Sequence, residues 1–366
     1  MKTIIFILNS ISVPRCIKRI NEFVDNGYNC RVYAFSRKEE KHNECKVDIQ
    51  IVAEFDNRLS FAKRVPIIIK TLRNILKANK DDKDAIYYVF GLDDAIFFKM
   101  LTKRPFIYEE SDLAHTYIGN KMIRQTLERM DKKIIRKSLL TVLTSEGFAE
   151  YHFGEKASWP KNIALVPNRL DARIKDYPYT AQKVTNVEKL KIGFVGIIRS
   201  KAIFAFAKYV LEKYPNIEIH FYGGVTAKLQ ETFKELEKYD NCYFHGVFKN
   251  PDDMPAIYSS IDLVLSTYDT NFENVLYAEP NKLYEAVYFE TPIIVSEGTF
   301  LAKKVERLGI GYAVDAFKGE SIDKLIKSLT VDSIQSKQDK ARELGRDFAI
   351  NSNHELMERC SKIVEK

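Results

Sequence analysis

The stretch Ile192-Gly193-Phe194-Val195-Gly196-Ile197-Ile198-Arg199-Ser200-Lys201 joins an apolar run, a glycine, two bases and the start of a helical pattern. A strand that turns through glycine into a helix gathers backbone amides and the positive end of a helix dipole. Gly196 there lets a ligand come close to the main chain. Arg199 and Lys201 then stand beside a bound anion. A tight turn with two solvated bases has the same spacing, so this stretch alone leaves both readings open. A second stretch, Glu279-Pro280-Asn281-Lys282-Leu283-Tyr284-Glu285, reads as a helix opening at Pro280. Its first amides, those of Asn281, Lys282 and Leu283, face outward at an anion, and Lys282 adds a mobile charge. Glu285, a turn further on, has the chemistry to accept two hydrogen bonds from a vicinal diol. Taken alone it reads as a helix-surface acid.

Such groups need a scaffold, and the rest of the chain supplies one. Short apolar runs alternate with helical periodicity, the pattern of parallel sheets covered by helices. The predicted strands of the first half are 3–8, 30–35, 47–53, 85–90, 106–109, 139–144 and 163–167. Those of the second half are 191–195, 217–222, 242–245, 263–266, 292–296 and 311–314. The segment 168–188 carries Pro178, has no clear period and reads as the boundary. The expected fold class is α/β, with two Rossmann-like parallel-sheet domains facing a central cleft. Residues 1–173 form the first and 174–345 the second, while 346–366 make a C-terminal helix packing back on the first. In such sheets ligands sit at the carboxyl ends of the strands, where the turns after 195 and 222 fall.

A chain of 366 residues exceeds what one core usually serves, and 45% hydrophobic residues suffice for two. The 57 Lys+Arg against 50 Asp+Glu, net +7, are interspersed. That balance favours phosphates or an acidic lipid surface over nucleic acid, which calls for a denser basic footprint. Five cysteines without C-x-x-C spacing argue against a disulfide framework or a zinc knuckle. The apolar start reads as a buried strand, and no run reaches the ~18 apolar residues of a membrane span. A soluble cytoplasmic protein is expected.

The pieces KIGFVGIIRSKA, IEIHFYGG, CYFHGVFKNPDDMPAIYSSIDLVLS and EPNKLYEAVYFETPIIVS, in this order, resemble the donor domain of GT-B glycosyltransferases. The retaining family 4 (group 1) enzymes of bacterial surface-polysaccharide synthesis are the nearest in kind. PFIYEESDLAH, LLTVLTSEGFAEYHF and VPNRLD resemble their acceptor domain and interdomain segment more loosely. The resemblance implies that Gly196, Arg199, Lys201, Lys282 and the amides after Pro280 hold the diphosphate of a UDP- or GDP-linked sugar, with no metal or other cofactor. It places Tyr222 and Gly223 beside the nucleotide, His245 and Phe248 at the base, and Glu285 on the ribose. Two features depart from the family. The first glutamate of the Glu-x7-Glu pair falls on Tyr277, with Glu279 two residues closer, and the loop Asn9–Arg15 lacks a glycine-rich turn.

On the acceptor side, Glu109, Glu110 and Asp112 follow a strand, with His115 three residues on. Asp112 orienting an acceptor hydroxyl is the implied role, with His115 as its substitute; helix capping or a surface position would explain these residues equally. Two basic helices, 62–80 and the one bearing Lys121, Arg124, Arg129, Lys132, Lys133, Arg136 and Lys137, could rest on an anionic membrane and so suit a lipid-linked acceptor. Each also reads as a domain helix with a solvated face. A dehydrogenase is excluded by the missing G-x-G-x-x-G. A nucleotide-sugar epimerase of the same architecture and a non-catalytic nucleotide-sugar-binding assembly protein are the competing readings.

Overall fold

The computed structural model describes residues 3–37, 44–56, 59–351 and 353–364. The chain divides into two compact units, one of residues 1–167 with 353–366, the other of 168–352.

In the first unit seven strands among the described residues form one parallel sheet. They are β1 (Thr3–Leu8), β2 (Asn29–Arg37), β3 (Ile49–Phe55), β4 (Ile86–Phe90), β5 (Phe106–Glu110), β6 (Leu140–Leu143) and β7 (Ile163–Leu165). Their order is β3-β2-β1-β4-β5-β6-β7. All six residues of β1 and all five of β4 are buried, as expected of strands covered by helices on both faces. The second unit repeats the plan with β8 (Lys191–Val195), β9 (Glu218–Tyr222), β10 (Cys242–Gly246), β11 (Leu263–Ser266), β12 (Ile293–Ser296) and β13 (Gly311–Val314), in the order β10-β9-β8-β11-β12-β13. The thirteen strands predicted from apolar runs all form, with ends shifted by two residues at most. The strand order reverses at β1/β4 and at β8/β11, so each sheet has its own switch point.

The segment expected to separate the halves is strapped to the second unit. Ile174 and Val184 are buried there, and the Tyr179 hydroxyl donates to the Phe289 carbonyl at 2.7 Å with its ring edge-on to Phe289. Leu170 exchanges backbone hydrogen bonds with Ala349 and Asn351, which places the division at 167/168 instead of 173.

The helix His354–Val364 belongs to the first unit. Leu356 and Cys360, both fully buried, join the cluster of Phe6, Phe23 and Tyr88, while Arg359 donates to the carbonyls of Ile163 and Lys161. All five cysteines are free thiols, and no described helix is long and apolar enough to cross a membrane. The helix Phe61–Ala78 turns Ile68, Leu72 and Ile75 inward and keeps Lys70, Arg73 and Lys77 in solvent, an ordinary covering helix. Leu356→Ala removes a fully buried anchor and is expected to destabilise the first unit by about 2–5 kcal/mol, leaving the unfolding of the second unit in place. Denaturant titration followed by fluorescence from Trp159, which lies in the first unit, reads this directly.

Candidate functional site

At the carboxyl end of the second sheet the main chain itself makes the surface. Gly196 and Gly223 have φ of 133° and 128°, a region that disfavours any side chain. A Cβ on Gly223 would collide with the carbonyl oxygen of Gly196. The Gly196 amide donates to the Tyr222 carbonyl at 2.7 Å, the Gly223 amide to Gly246 at 2.6 Å, and the Ile198 amide to Gly224 at 2.9 Å. The ends of β8, β9 and β10 are thereby knitted together.

Lys282 reaches this surface from the other stretch singled out by sequence. A Cβ on Gly196 would lie 3.1 Å from the Lys282 Nζ, and the ammonium rests over the Phe194 ring, 4.7 Å from its centroid. Among the described residues no carboxylate pairs with it. The Asn281 and Lys282 amides likewise find no backbone acceptor among the described residues. The Leu283 amide differs from expectation: it bonds the Pro280 carbonyl at 3.2 Å, and Leu283 is a core residue. Glu285 is not a surface acid. It is buried and accepts from the Tyr258 hydroxyl at 2.6 Å.

The turn after β8 also differs in part. Its helix, Lys201–Lys213, is capped by Ser200, and Asp269 shares that end, accepting from the Ala202 amide at 2.8 Å and the Lys201 amide at 3.2 Å. An aspartate thus already occupies the helix terminus expected to meet an anion. Arg199 and Lys201 are exposed beside it. Next to β8, at the end of β11, the Ser266 and Thr267 hydroxyls are fully buried and meet no partner among the described residues.

Tyr222 is buried, bonds Ser260 through its hydroxyl and stacks on the exposed His245 at 4.2 Å. His245 in turn bonds His220 at 3.0 Å, and His220 bonds Glu218 at 2.9 Å, a chain that sequence spacing did not reveal. Burial pushes both histidines below the usual range; for His220 the Glu218 carboxylate opposes it. Phe248 packs half-buried against the core. Glu279, close to the place where a family glutamate was expected, is committed elsewhere: its carboxylate takes Lys304 at 2.7 Å and the Tyr284 hydroxyl. Tyr277 ends the short helix Glu273–Tyr277.

In the first unit three of the four acceptor-side candidates are interior groups. Glu109 is fully buried, bonded by Arg19 at 3.1 Å and by the Tyr88 hydroxyl, with Arg15 at 3.4 Å. Burial would lower the Arg19 pKa, and Glu109 more than offsets it. Glu110 is fully buried with both oxygens 3.0 Å from His152 Nε2, and His115 is buried between the Tyr151 hydroxyl at 3.1 Å and Asp131 at 3.4 Å. Neither a helix cap nor a surface role fits Glu109, Glu110 or His115, because each closes a polar network inside the unit. Asp112 alone is exposed, just past the end of β5.

Glu110, Asp131 and His152 present ligand atoms within 4.8 Å of one another, a donor set of metal-site type. Protons also account for the arrangement. Burial pushes Glu110 up to about 8, against a hydrogen bond with Asp131 that lowers it, and pushes Asp131 up to about 7, with the Glu110 charge adding to the rise, while burial holds His152 below its usual value. The folded state therefore keeps protons that the unfolded chain releases.

Two outcomes follow. Gly223→Ala is expected to cost about 1–3 kcal/mol and to remove ligand stabilisation of the second unit, read by thermal melts with and without nucleotide. For Glu110 and Asp131 the folded pKa lies above the unfolded one, so stability present at low pH is lost as pH rises toward about 8. The neutral His152 opposes this below its unfolded pKa, so the decline is clearest between roughly pH 6.5 and 8. Its slope is at most about 1.4 kcal/mol per pH unit for each proton. Glu110→Gln should flatten it in denaturant titrations across that range.

Residues 180–348 match the family described as glycosyl transferases group 1. The succinoglycan biosynthesis protein ExoL of Rhizobium meliloti (strain 1021) is 21% identical over 246 residues, 62% of this chain but only 58% of that relative. Among solved structures, sucrose-phosphate synthase of Thermosynechococcus elongatus superposes with a TM-score of 0.71 at 12% identity, over 100% of this chain and 98% of that one. HepE of Anabaena, in complex with UDP and glucose, gives 0.65 at 14% identity over 99% and 98%. The lipopolysaccharide outer core galactosyltransferase WaaB gives 0.59 at 16% identity over 92% and 95%. The two parallel sheets are those of the GT-B fold, and the part of the chain that carries the second, residues 180–348, is similar to the group 1 glycosyl transferases.

Proposed function

We propose that this chain transfers a hexose-type sugar from a UDP- or GDP-linked donor to a hydroxyl of a glycan or lipid-linked acceptor. The setting is the cytoplasmic synthesis of a bacterial capsule, lipopolysaccharide or exopolysaccharide. The observation that carries this reading is the Lys282 ammonium, unpaired by any described carboxylate and held against the bare backbone of Gly196. The name of the ExoL relative and the UDP and glucose held by HepE agree with it.

Departure of the diphosphate is the difficult step, because negative charge grows on it as the anomeric C–O bond breaks. Fixed cations and amides aimed at that charge lower the barrier. In this reading Lys282 and the Asn281 and Lys282 amides meet one side of the diphosphate, and Arg199 meets it from the turn after Gly196. Lys201 contributes charge but not its amide, which Asp269 holds. Glu285 receives the ribose through the oxygen that Tyr258 leaves, and Tyr222, Gly223, His245 and Phe248 border the nucleoside. The acceptor oxygen bonds to the anomeric carbon on the face the phosphate leaves, so configuration is retained. The acceptor proton passes to the departing phosphate oxygen, and Asp112 orients the acceptor. Side chains supply the cations, so turnover is expected to persist in EDTA.

A thermal-shift panel of UDP, GDP, ADP and CMP names the donor nucleotide, since a ligand at a hundredfold excess over its Kd stabilises by about 2.7 kcal/mol. With that nucleotide's sugars, Lys282→Ala and Arg199→Ala should each lose ~10²–10³ in kcat with unchanged melting in the absence of ligand. Near wild-type turnover in the Lys282 variant would sink the assignment.

A further inference from the structure

The second basic helix behaves unlike Phe61–Ala78. Lys121–Lys137 buries only Asp131, Ile134 and Ile135. At about 100° per residue, Met122, Arg129, Lys133 and Arg136 gather on the opposite side, and all four are exposed. Exposed Lys121 and Lys137 extend the basic row to both ends. The only other acid on this helix, Glu128, is half-buried and paired with Lys132 at 2.9 Å. The solvent side therefore offers bases and no acid.

A merely solvated helix would be polar where it begins, and this one is apolar. Tyr117 is 59% exposed, Met122 79% and Ile123 52%, with Ile118 beside them. The tip is also ordered: the Asn120 side chain accepts from the Met122 and Ile123 amides at 3.0 and 3.1 Å, fixing the first turn. Large apolar side chains held rigidly in water beside a basic row are a cost to the free protein, which argues for a partner that covers them.

We propose that Tyr117, Ile118, Met122 and Ile123, with the row Lys121, Arg129, Lys133 and Arg136, dock the protein on an anionic lipid bilayer. The apolar tip enters the boundary between headgroups and acyl chains, and the bases lie over lipid phosphates. Charge complementarity selects an anionic surface, and the apolar tip selects lipid over nucleic acid, whose phosphates gain nothing from Met122 or Ile123. The inference is independent of the sugar-transfer reading, because vesicle binding needs no donor and nucleotide binding needs no vesicle.

The test is cosedimentation of the full chain with phosphatidylcholine vesicles and with vesicles containing phosphatidylglycerol. Pelleting with the second only, and its loss at high salt, is expected. Arg129→Gln/Lys133→Gln/Arg136→Gln should weaken binding roughly a hundredfold, from about 1 kcal/mol per base. Met122→Ser/Ile123→Ser should weaken it roughly tenfold or more without changing the charge. Both sets are exposed, and unchanged melting curves confirm that the variants fold. Lys70→Gln/Arg73→Gln/Lys77→Gln, with the same charge loss on the helix Phe61–Ala78, should bind as wild type. The proposal is overturned if wild type stays in the supernatant with anionic vesicles at low salt. It is equally overturned if the serine variant binds as wild type, if the Phe61–Ala78 variant loses as much, or if the chain retards duplex DNA but ignores vesicles.

Discussion

Gly223 approaches Gly196 so closely that nothing larger than hydrogen fits between them, and the ligand side of the second unit is built outward from that contact. Both residues hold positive φ, so their amides and carbonyls turn toward the ends of neighbouring strands instead of continuing the ladder. A flat floor of backbone results where side chains would otherwise stand. Lys282 can then lie across it, with its ammonium close to the main chain of Gly196. Asp269, by filling the amides at Lys201 and Ala202, fixes the helix that follows and leaves the exposed bases of the turn for other work.

The two sheets treat charge at their carboxyl ends in opposite ways. In the first, Glu109, Glu110 and Asp131 are buried among Arg19, His115, His152 and tyrosine hydroxyls, so the charges are cancelled or protonated inside the unit. Removing one member of such a network strands its partner at several kcal/mol, which makes these groups structural determinants. In the second, Lys282 has no acidic partner among the described residues and Arg199 is exposed. A charge left uncancelled beside a rigid floor is suited to a ligand that brings the opposite sign.

The strands were readable because parallel strands bury both faces and so appear as apolar runs, as KIGFV does. Segment 168–188 was not. Its anchors Ile174, Tyr179 and Val184 are isolated and follow no period, the first two packing on the cluster of Tyr288 and Phe289 and the third on that of Ile192 and Phe206, and the stretch therefore resembles a linker. Glu109 and Glu110 misled for a related reason. Acids after an apolar strand look like functional groups at a sheet edge, and only Arg19, His152 and Asp131, distant in sequence, show that they point inward. The meeting of Gly196 with Lys282 could be inferred from two separate anion-binding patterns, but not the ring beneath the ammonium.

That ring bears on how Lys282 is held in place without a carboxylate partner among the described residues. A cation over Phe194 gains about 0.5–2 kcal/mol, enough to fix the side chain and little enough for a phosphate to outbid. A buried carboxylate in the same place would have to be stripped of its partner, at 3–5 kcal/mol, before any ligand could bind. Glu279, three residues before Lys282, is engaged instead by Lys304 and the Tyr284 hydroxyl. With its carboxylate so engaged, Glu279 has a structural partner in Lys304, and Lys282 is left with the Phe194 ring as its neighbour.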